Sequence, residues 1–265
     1  MSGASQRRSA AATDGSSSGR RGDLGVSYFL VDRLPPRGLF VLTGAEGRHA
    51  ATVRRLRSGE PLVLTDGRGG VATATVTDVG RGELTVRVEA VESQQPPAVR
   101  VTLVQAIPKG DRGELAVELA TEAGVDAVVP WAAQRCVVRW TADRAAHGVE
   151  KWRSAARAAA KQSRRAFVPT VGDLATTADV VALAGGAAVL VLDDAGSCAL
   201  RDVDLPESGD VVLIVGPEGG LTQEELTVFQ TAGATPVRLG PQVLRTSTAG
   251  AVALGALGVL TGRWT

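Results

Sequence analysis

The segment LIVGPEGGLT at residues 213–222 constrains this chain more than any other. Leu213, Ile214 and Val215 form an apolar run that reads as the end of a buried strand. Gly216, Pro217, Glu218, Gly219 and Gly220 follow and offer nothing to a core. Thr222, with Glu225 three residues later, is a capping box that opens a helix. A strand that ends in a glycine loop and turns into a helix belongs to an open α/β sheet, whose ligands sit at the carboxyl ends of the strands. Glycines there let a ligand approach the backbone closely, although they also suit a plain tight turn. A second segment repeats the pattern: Val237-Arg238-Leu239 runs into Gly240-Pro241, and the chain then enters Gln242-Val243-Leu244-Arg245-Thr246-Ser247-Thr248 and an apolar helix. Two such loops close in sequence predict one pocket with two backbone walls. Neither GxxxxGK[ST] nor a strand-borne GxGxxG occurs, so this is neither a P-loop nor an ordinary dinucleotide fingerprint.

The rest of the chain divides in two. Short β-like runs at 28–31, 39–42, 61–64, 71–76 and 84–88 are separated by turn-forming stretches at 34–38, 66–70 and 80–82. Such spacing predicts a small barrel, interrupted by one helix over 46–56. Ser93-Gln94-Gln95-Pro96-Pro97 reads as a stiff polar linker. Beyond it strands at 99–106, 126–131, 188–192, 211–215 and 236–239 alternate with helices at 114–123 and 149–163. Alternation of this kind predicts a mainly parallel sheet flanked by helices. The expected division is therefore 1–24 as a tail, 25–95 as a β-barrel domain and 96–265 as an α/β domain. Residues 1–24 hold almost no large apolar side chains and read as disordered by composition.

Bulk properties narrow the function. The net charge of +1 excludes a uniformly basic nucleic-acid binder, so any RNA contact must be local. No apolar run reaches the length of a membrane span. Cys136 and Cys198 lack metal or redox spacing and read as reduced thiols. With only His49 and His147 as histidines, no metal site is expected. A cytoplasmic location follows from the same features.

The two glycine loops, GPEGGLT and LGPQVLRTSTA, together with RHAATVRRLRSGE from Arg48, AIPKGDRGELAVELATEAGV from Ala106, QRCVVRW from Gln134 and AAAKQSRRAFVP from Ala158, resemble the RsmE-type 16S ribosomal RNA uridine methyltransferases of the SPOUT superfamily. The resemblance runs through residues 26–265. It implies a PUA-like N-terminal barrel, a C-terminal SPOUT domain with a trefoil knot, S-adenosylmethionine as methyl donor, a homodimer, and N3 of one uridine in the small ribosomal subunit as target, with neither membrane nor DNA as partner. A SPOUT ribose 2′-O-methyltransferase and a non-catalytic ribosome assembly factor are the alternatives. The chain departs from the pattern at Ser247, where the resemblance leads one to expect a glutamate, so no role of that carboxylate carries over.

On this reading Val215, Gly216, Pro217, Gly219, Gly220, Leu221, Leu239, Gly240, Val243, Leu244, Thr248 and Ala249 hold the cofactor. Arg245 stabilises the uridine anion formed when N3 loses its proton, or else bonds loop carbonyls. Glu218 orients the cofactor amine or accepts a proton, or else bonds within the loop. RNA contacts are expected at Arg48, His49, Arg54, Arg55, Lys109, Arg112, Arg135, Arg139, Lys161, Gln162, Arg164 and Arg165, His49 by stacking on a base or reaching a phosphate, or else as a satisfied surface or core residue. For Lys161, Arg164 and Arg165 the alternative is the favourable field at a helix end. Asp111 is expected to cap the helix that follows it. The small residues of the last helix, Gly250, Ala253, Gly255 and Gly258 among them, suit either close packing on the pocket or a subunit interface.

Overall fold

A computed structural model describes residues 26–196 and 198–264; the tail expected at 1–24 lies outside them. The short apolar runs of the N-terminal part become β1 (Ser27–Leu30), β2 (Gly38–Leu42), β3 (Pro61–Thr65), β4 (Gly70–Val79) and β5 (Leu84–Ser93). They form a mixed sheet in the order β1-β3-β4-β5-β2, with β1 parallel to β3 and the other pairs antiparallel. Burial alternates along β4 and β5, as it must when one face carries the core. Phe29, Leu62, Leu64, Leu84 and Val86 fill that core.

The helix expected over 46–56 is shorter and of two kinds. It starts as α1 (Gly44–Arg48) and continues as a π-turn over His49–Val53, in which Arg54 N–H reaches the His49 carbonyl at 2.9 Å. The wider turn buries Ala50 fully and sets His49 edge-on to Phe29, ring centroids 6.2 Å apart. Arg55, at φ 54°, then leaves the helical region and ends the element.

The C-terminal part runs β6 (Val99–Ala106), α2 (Arg112–Glu122), β7 (Ala127–Trp131), α3 (Ala142–Gln162), β8 (Thr170–Val171), α4 (Thr177–Leu183), β9 (Ala188–Leu192), β10 (Cys198–Ala199), β11 (Gly209–Val215), α5 (Gln223–Thr231), β12 (Thr235–Arg238) and α6 (Thr246–Leu260). The seven strands lie in the order β10-β12-β9-β11-β6-β7-β8, every pair parallel. Both faces are covered, so the central strands are mainly apolar and buried, with Arg100 and Asp210 exposed and paired at their amino ends. Val101, Leu103, Val211 and Leu213 point to α2, α3 and α6, while Val104, Val212 and Ile214 pack with Val180 of α4 and Phe229 of α5. The sequence reading left out β8, β10 and α4. The first two are only two residues long, whereas α4 carries a capping box between Thr176 and Asp179.

The halves meet at the turn after α3. Gly69 N–H donates to the Ala166 carbonyl at 3.0 Å, Val168 N–H to the Gly67 carbonyl at 2.9 Å, and Lys161 Nζ reaches both oxygens of Glu46, the nearer at 2.6 Å. The small residues of α6 are consumed within the chain: Gly250 lies against Leu103, and Gly255 and Gly258 against Trp264.

Asp126 organises the amino ends of β6 and β7. Its Oδ2 accepts from Val101 N–H at 2.7 Å and from Arg263 Nη1 at 2.8 Å. Arg165 Nη2 stands 4.0 Å from Oδ1 and its Nη1 donates to the Thr121 carbonyl at 2.8 Å. Arg263 also donates to the carbonyls of Val99 and Gly124. Burial pulls the Arg165 pKa down and nearby Asp126 opposes that fall. Asp126→Ala leaves two largely buried guanidinium groups without their counterion and is expected to destabilise the chain by about 3 kcal/mol, read by urea denaturation. Asp126→Asn keeps an acceptor for Val101 N–H and is expected to lose less.

Candidate active site

Because the sheet is parallel, the carboxyl ends of β9, β11 and β12 lie side by side at one edge. They enclose a cavity of about 600 Å³ lined by Leu192, Asp193 and Asp194 after β9, by residues 215–221 after β11, and by residues 237–240 and 242–246 after β12. Ala249 of α6 and the arginines Arg112 and Arg135 complete it. Of the residues expected to hold a cofactor, all but Thr248 line this cavity. Thr248 stands aside because its Oγ1 donates to the Arg245 carbonyl at 3.1 Å, a local bond at the start of α6.

The glycine loop after β11 is held from outside. Glu225, 1% exposed, closes the capping box by accepting from Thr222 N–H at 2.9 Å, while its other oxygen accepts from Gln134 N–H at 2.7 Å. Arg135 Nη1 donates to the carbonyls of Gly219 and Leu221 at 3.1 and 3.0 Å. Glu218 Oε1 accepts from Lys109 N–H at 3.0 Å. Gly220 takes φ 70°, a conformation that a side chain strains.

A model of an RNA methyltransferase domain matches residues 94–258, and one of an RNA methyltransferase PUA domain matches residues 42–89. Ribosomal RNA small subunit methyltransferase E of Mycobacterium bovis is 51% identical over 242 residues, which span 89% of this chain and 92% of the relative. The chain belongs to the ribosomal RNA small subunit methyltransferase E family. The protein of that name from Synechocystis is 31% identical over 83% of this chain and 72% of its own. A crystal structure of the Neisseria gonorrhoeae member, bound to S-adenosyl methionine, matches with a TM-score of 0.80 at 30% identity, over 89% of this chain and 98% of that one.

The charged residues singled out in the sequence separate by what they touch. Among the described residues the Arg245 guanidinium has no hydrogen bond or ion pair; it sits exposed at the N-cap of α6 on the pocket wall. The alternative of a loop arginine bonding carbonyls therefore describes Arg135 rather than Arg245. Glu218 does take the loop-bonding position, through Lys109. Arg112 and Glu218 also line an adjoining hollow with Lys109, Asp111, Leu115 and Val137, so the two cavities meet at these side chains. Asp111 occupies the N-cap of α2, but its side chain makes no capping bond.

Several residues expected on RNA are engaged within the protein. Arg54 donates through Nε and Nη2 to Ser27 Oγ. His49 packs on Phe29. Lys161 is spent on Glu46, and Arg165 on Asp126 and Thr121. These side chains serve the fold and the contact between its halves. Arg48, Arg55, Arg139, Gln162 and Arg164 are exposed, Arg164 at φ 57° just past α3. The sequence reading missed Asp193, Asp194, Arg238, Gln242 and Thr246 as pocket residues; the Asp-Asp pair that ends the apolar run at 188–192 was the available signal.

The two thiols differ in reactivity. Cys136 is 7% exposed, and burial, helped by the charges of Glu218 and Glu225, pushes its thiol up. The thiolate is the nucleophile, so a raised value and burial both slow alkylation. Iodoacetamide at pH 8 is expected to label half-buried Cys198 well before Cys136, as read by peptide mass mapping of the native protein.

Proposed function

We propose that this protein methylates N3 of one specific uridine in 16S ribosomal RNA, with S-adenosylmethionine as donor. The observation that carries the reading is the glycine-walled cavity at three parallel strand ends, with an unpaired arginine at its rim, in a chain of this family. The cavity fits the donor's chemistry: Leu192, Val215, Leu239 and Leu244 offer apolar walls, Asp193, Asp194 and Glu218 offer acceptors to cationic and hydroxyl groups, and the arginines offer partners to a carboxylate. When bound, the donor supplies an electrophilic methyl group. The protein must then hold uridine N3 in line with it and ease the loss of the N3 proton.

Arg245 performs the second task. Deprotonation spreads negative charge over the two ring carbonyl oxygens, and a guanidinium without a protein partner is available to them. Glu218 Oε2 has no protein donor among the described residues and accepts from the donor's ammonium, while Oε1 keeps the loop on Lys109. No side chain need take the proton; water does so once the anion is stabilised. Uridine enters through the hollow shared by Arg112 and Glu218.

The reading assigns residues 25–95 to an RNA-holding domain and 96–265 to methyl transfer, with phosphate contacts at Arg48, Arg55 and Arg139. It includes the trefoil knot, supported by the path of α6: the chain leaves β12, two strands away from β11, and the helix returns to pack on β11, β6 and α2. It includes a homodimer, supported by the exposed Val252, Val259 and Leu260 on α6, and work in the cytoplasm. The test is tritium transfer from labelled donor to small subunits that lack the modification, followed by nucleoside analysis. N3-methyluridine is expected; a 2′-O-methyl nucleoside, or binding without transfer, overturns the reading.

Arg245→Ala is expected to lower kcat by about two orders of magnitude, the size of losing one oxyanion donor, with donor and RNA affinities little changed. Higher pH partly restores the rate, because solvent then removes the N3 proton more readily. Arg245→Lys recovers part of it, since the charge remains and the planar fork is lost. A parental kcat with a raised donor KM assigns Arg245 to binding.

A further inference from the structure

Gln105 is out of place on the buried face of β6 that Val99, Val101 and Leu103 make apolar. Val101 and Leu103 precede it on the face of β6 that packs against α2 and α6, and a third apolar side chain would continue the pattern. The position is 1% exposed and carries an amide whose Oε1 has no partner among the described residues. A buried acceptor left unmet is unfavourable, so the amide stands here at a cost to the core.

The other end of the amide is fully used. Nε2 donates to the Ala106 carbonyl at 3.0 Å and to Thr246 Oγ1 at 3.1 Å. A carbonyl can only accept, so the nitrogen must face Ala106, and the direction of the chain is fixed. Thr246 Oγ1 accepts from Gln105 and gives its own hydrogen to the Gly216 carbonyl at 2.5 Å. The result is a one-way chain from β6 through the first residue of α6 to the first residue of the glycine loop. Gly216 belongs to one wall of the cavity and Thr246 closes the other.

We propose that Gln105 is a positioning residue for methyl transfer: through Thr246 it fixes the separation of the two loops that hold the donor. This rests on the reading of the cavity as the S-adenosylmethionine site. Gln105 itself touches neither substrate. Its hydrogen bond orients the Thr246 hydroxyl, and the hydroxyl ties Gly216 to the start of α6.

The test is S-adenosylmethionine affinity by calorimetry on the full chain, with melting temperature measured in parallel. Thr246→Val keeps the shape and removes the relay, and Gln105→Leu removes its origin while completing the apolar face. Each is expected to weaken donor binding about tenfold, the worth of one net hydrogen bond. The double variant is expected to be no weaker than either single one, because both break the same chain. Thr246→Ser restores most of the affinity lost in Thr246→Val. Gln105→Leu is expected to hold or raise the melting temperature while losing affinity, a combination that a merely structural glutamine would not give. Parental affinity in both single variants, losses that add, or a fall in melting temperature alone overturns the proposal. If the parent chain does not bind S-adenosylmethionine at all, the functional reading falls, and this proposal with it.

Discussion

A loop of three glycines and a proline between Gly216 and Leu221 has no core of its own, and most of its backbone groups must be satisfied by something other than regular structure. Its shape depends on bonds brought to it by three other segments. Gln134 reaches Glu225 at the loop's exit, Arg135 takes the carbonyls of Gly219 and Leu221, Lys109 takes Glu218, and Thr246 takes the carbonyl of Gly216. Three of these partners follow β6 or β7 and the fourth begins α6. The sheet places those strand ends in register, so the parallel arrangement builds the pocket wall as well as the core. Flexible sequence becomes a fixed surface because its anchors are rigid.

That anchoring also sorts the charges. The carboxylates of Glu218 and Glu225 face backbone amides, and the Arg135 guanidinium faces backbone carbonyls, so these groups are partly neutralised by the loop they hold. Among the described residues Arg245 is left as an unpaired cation on the cavity wall, which half-buried Arg112 also lines. Positive charge is thus local at this rim in a chain whose net charge is only +1.

Much of the fold was legible in the sequence. The strands Val99–Ala106 and Ala188–Leu192 begin and end where the sequence places them, because central parallel strands are buried on both faces and favour runs rich in valine and leucine. The π-turn at His49–Val53 was not legible, since a widened turn is chosen by what Ala50 and His49 pack against rather than by local periodicity. Two of the three walls of the site were legible from their Gly-Pro loops. The third, Asp193-Asp194, was not, because sequence order does not reveal that β9 lies between β11 and β12. The basic residues were the least legible. A lysine reads alike on RNA or on a carboxylate, and the partner of Lys161 lies 115 residues away.

The fastening of Arg263 has a consequence for how the chain comes to be folded. Its guanidinium reaches the Val99 carbonyl 164 residues back, and Asp126 and Gly124 nearly as far. Trp264, next to it, seals Gly255 and Gly258. Residues near 263 thus fasten the amino ends of β6 and β7, far along the chain from the β1–β5 segment. The β1–β5 sheet, by contrast, has all its pairing partners within residues 27–93 and can settle as soon as they emerge. Contacts of such long separation in sequence form slowly. During synthesis the β1–β5 sheet can therefore pair well before β12 and α6 bring the walls of the cavity together.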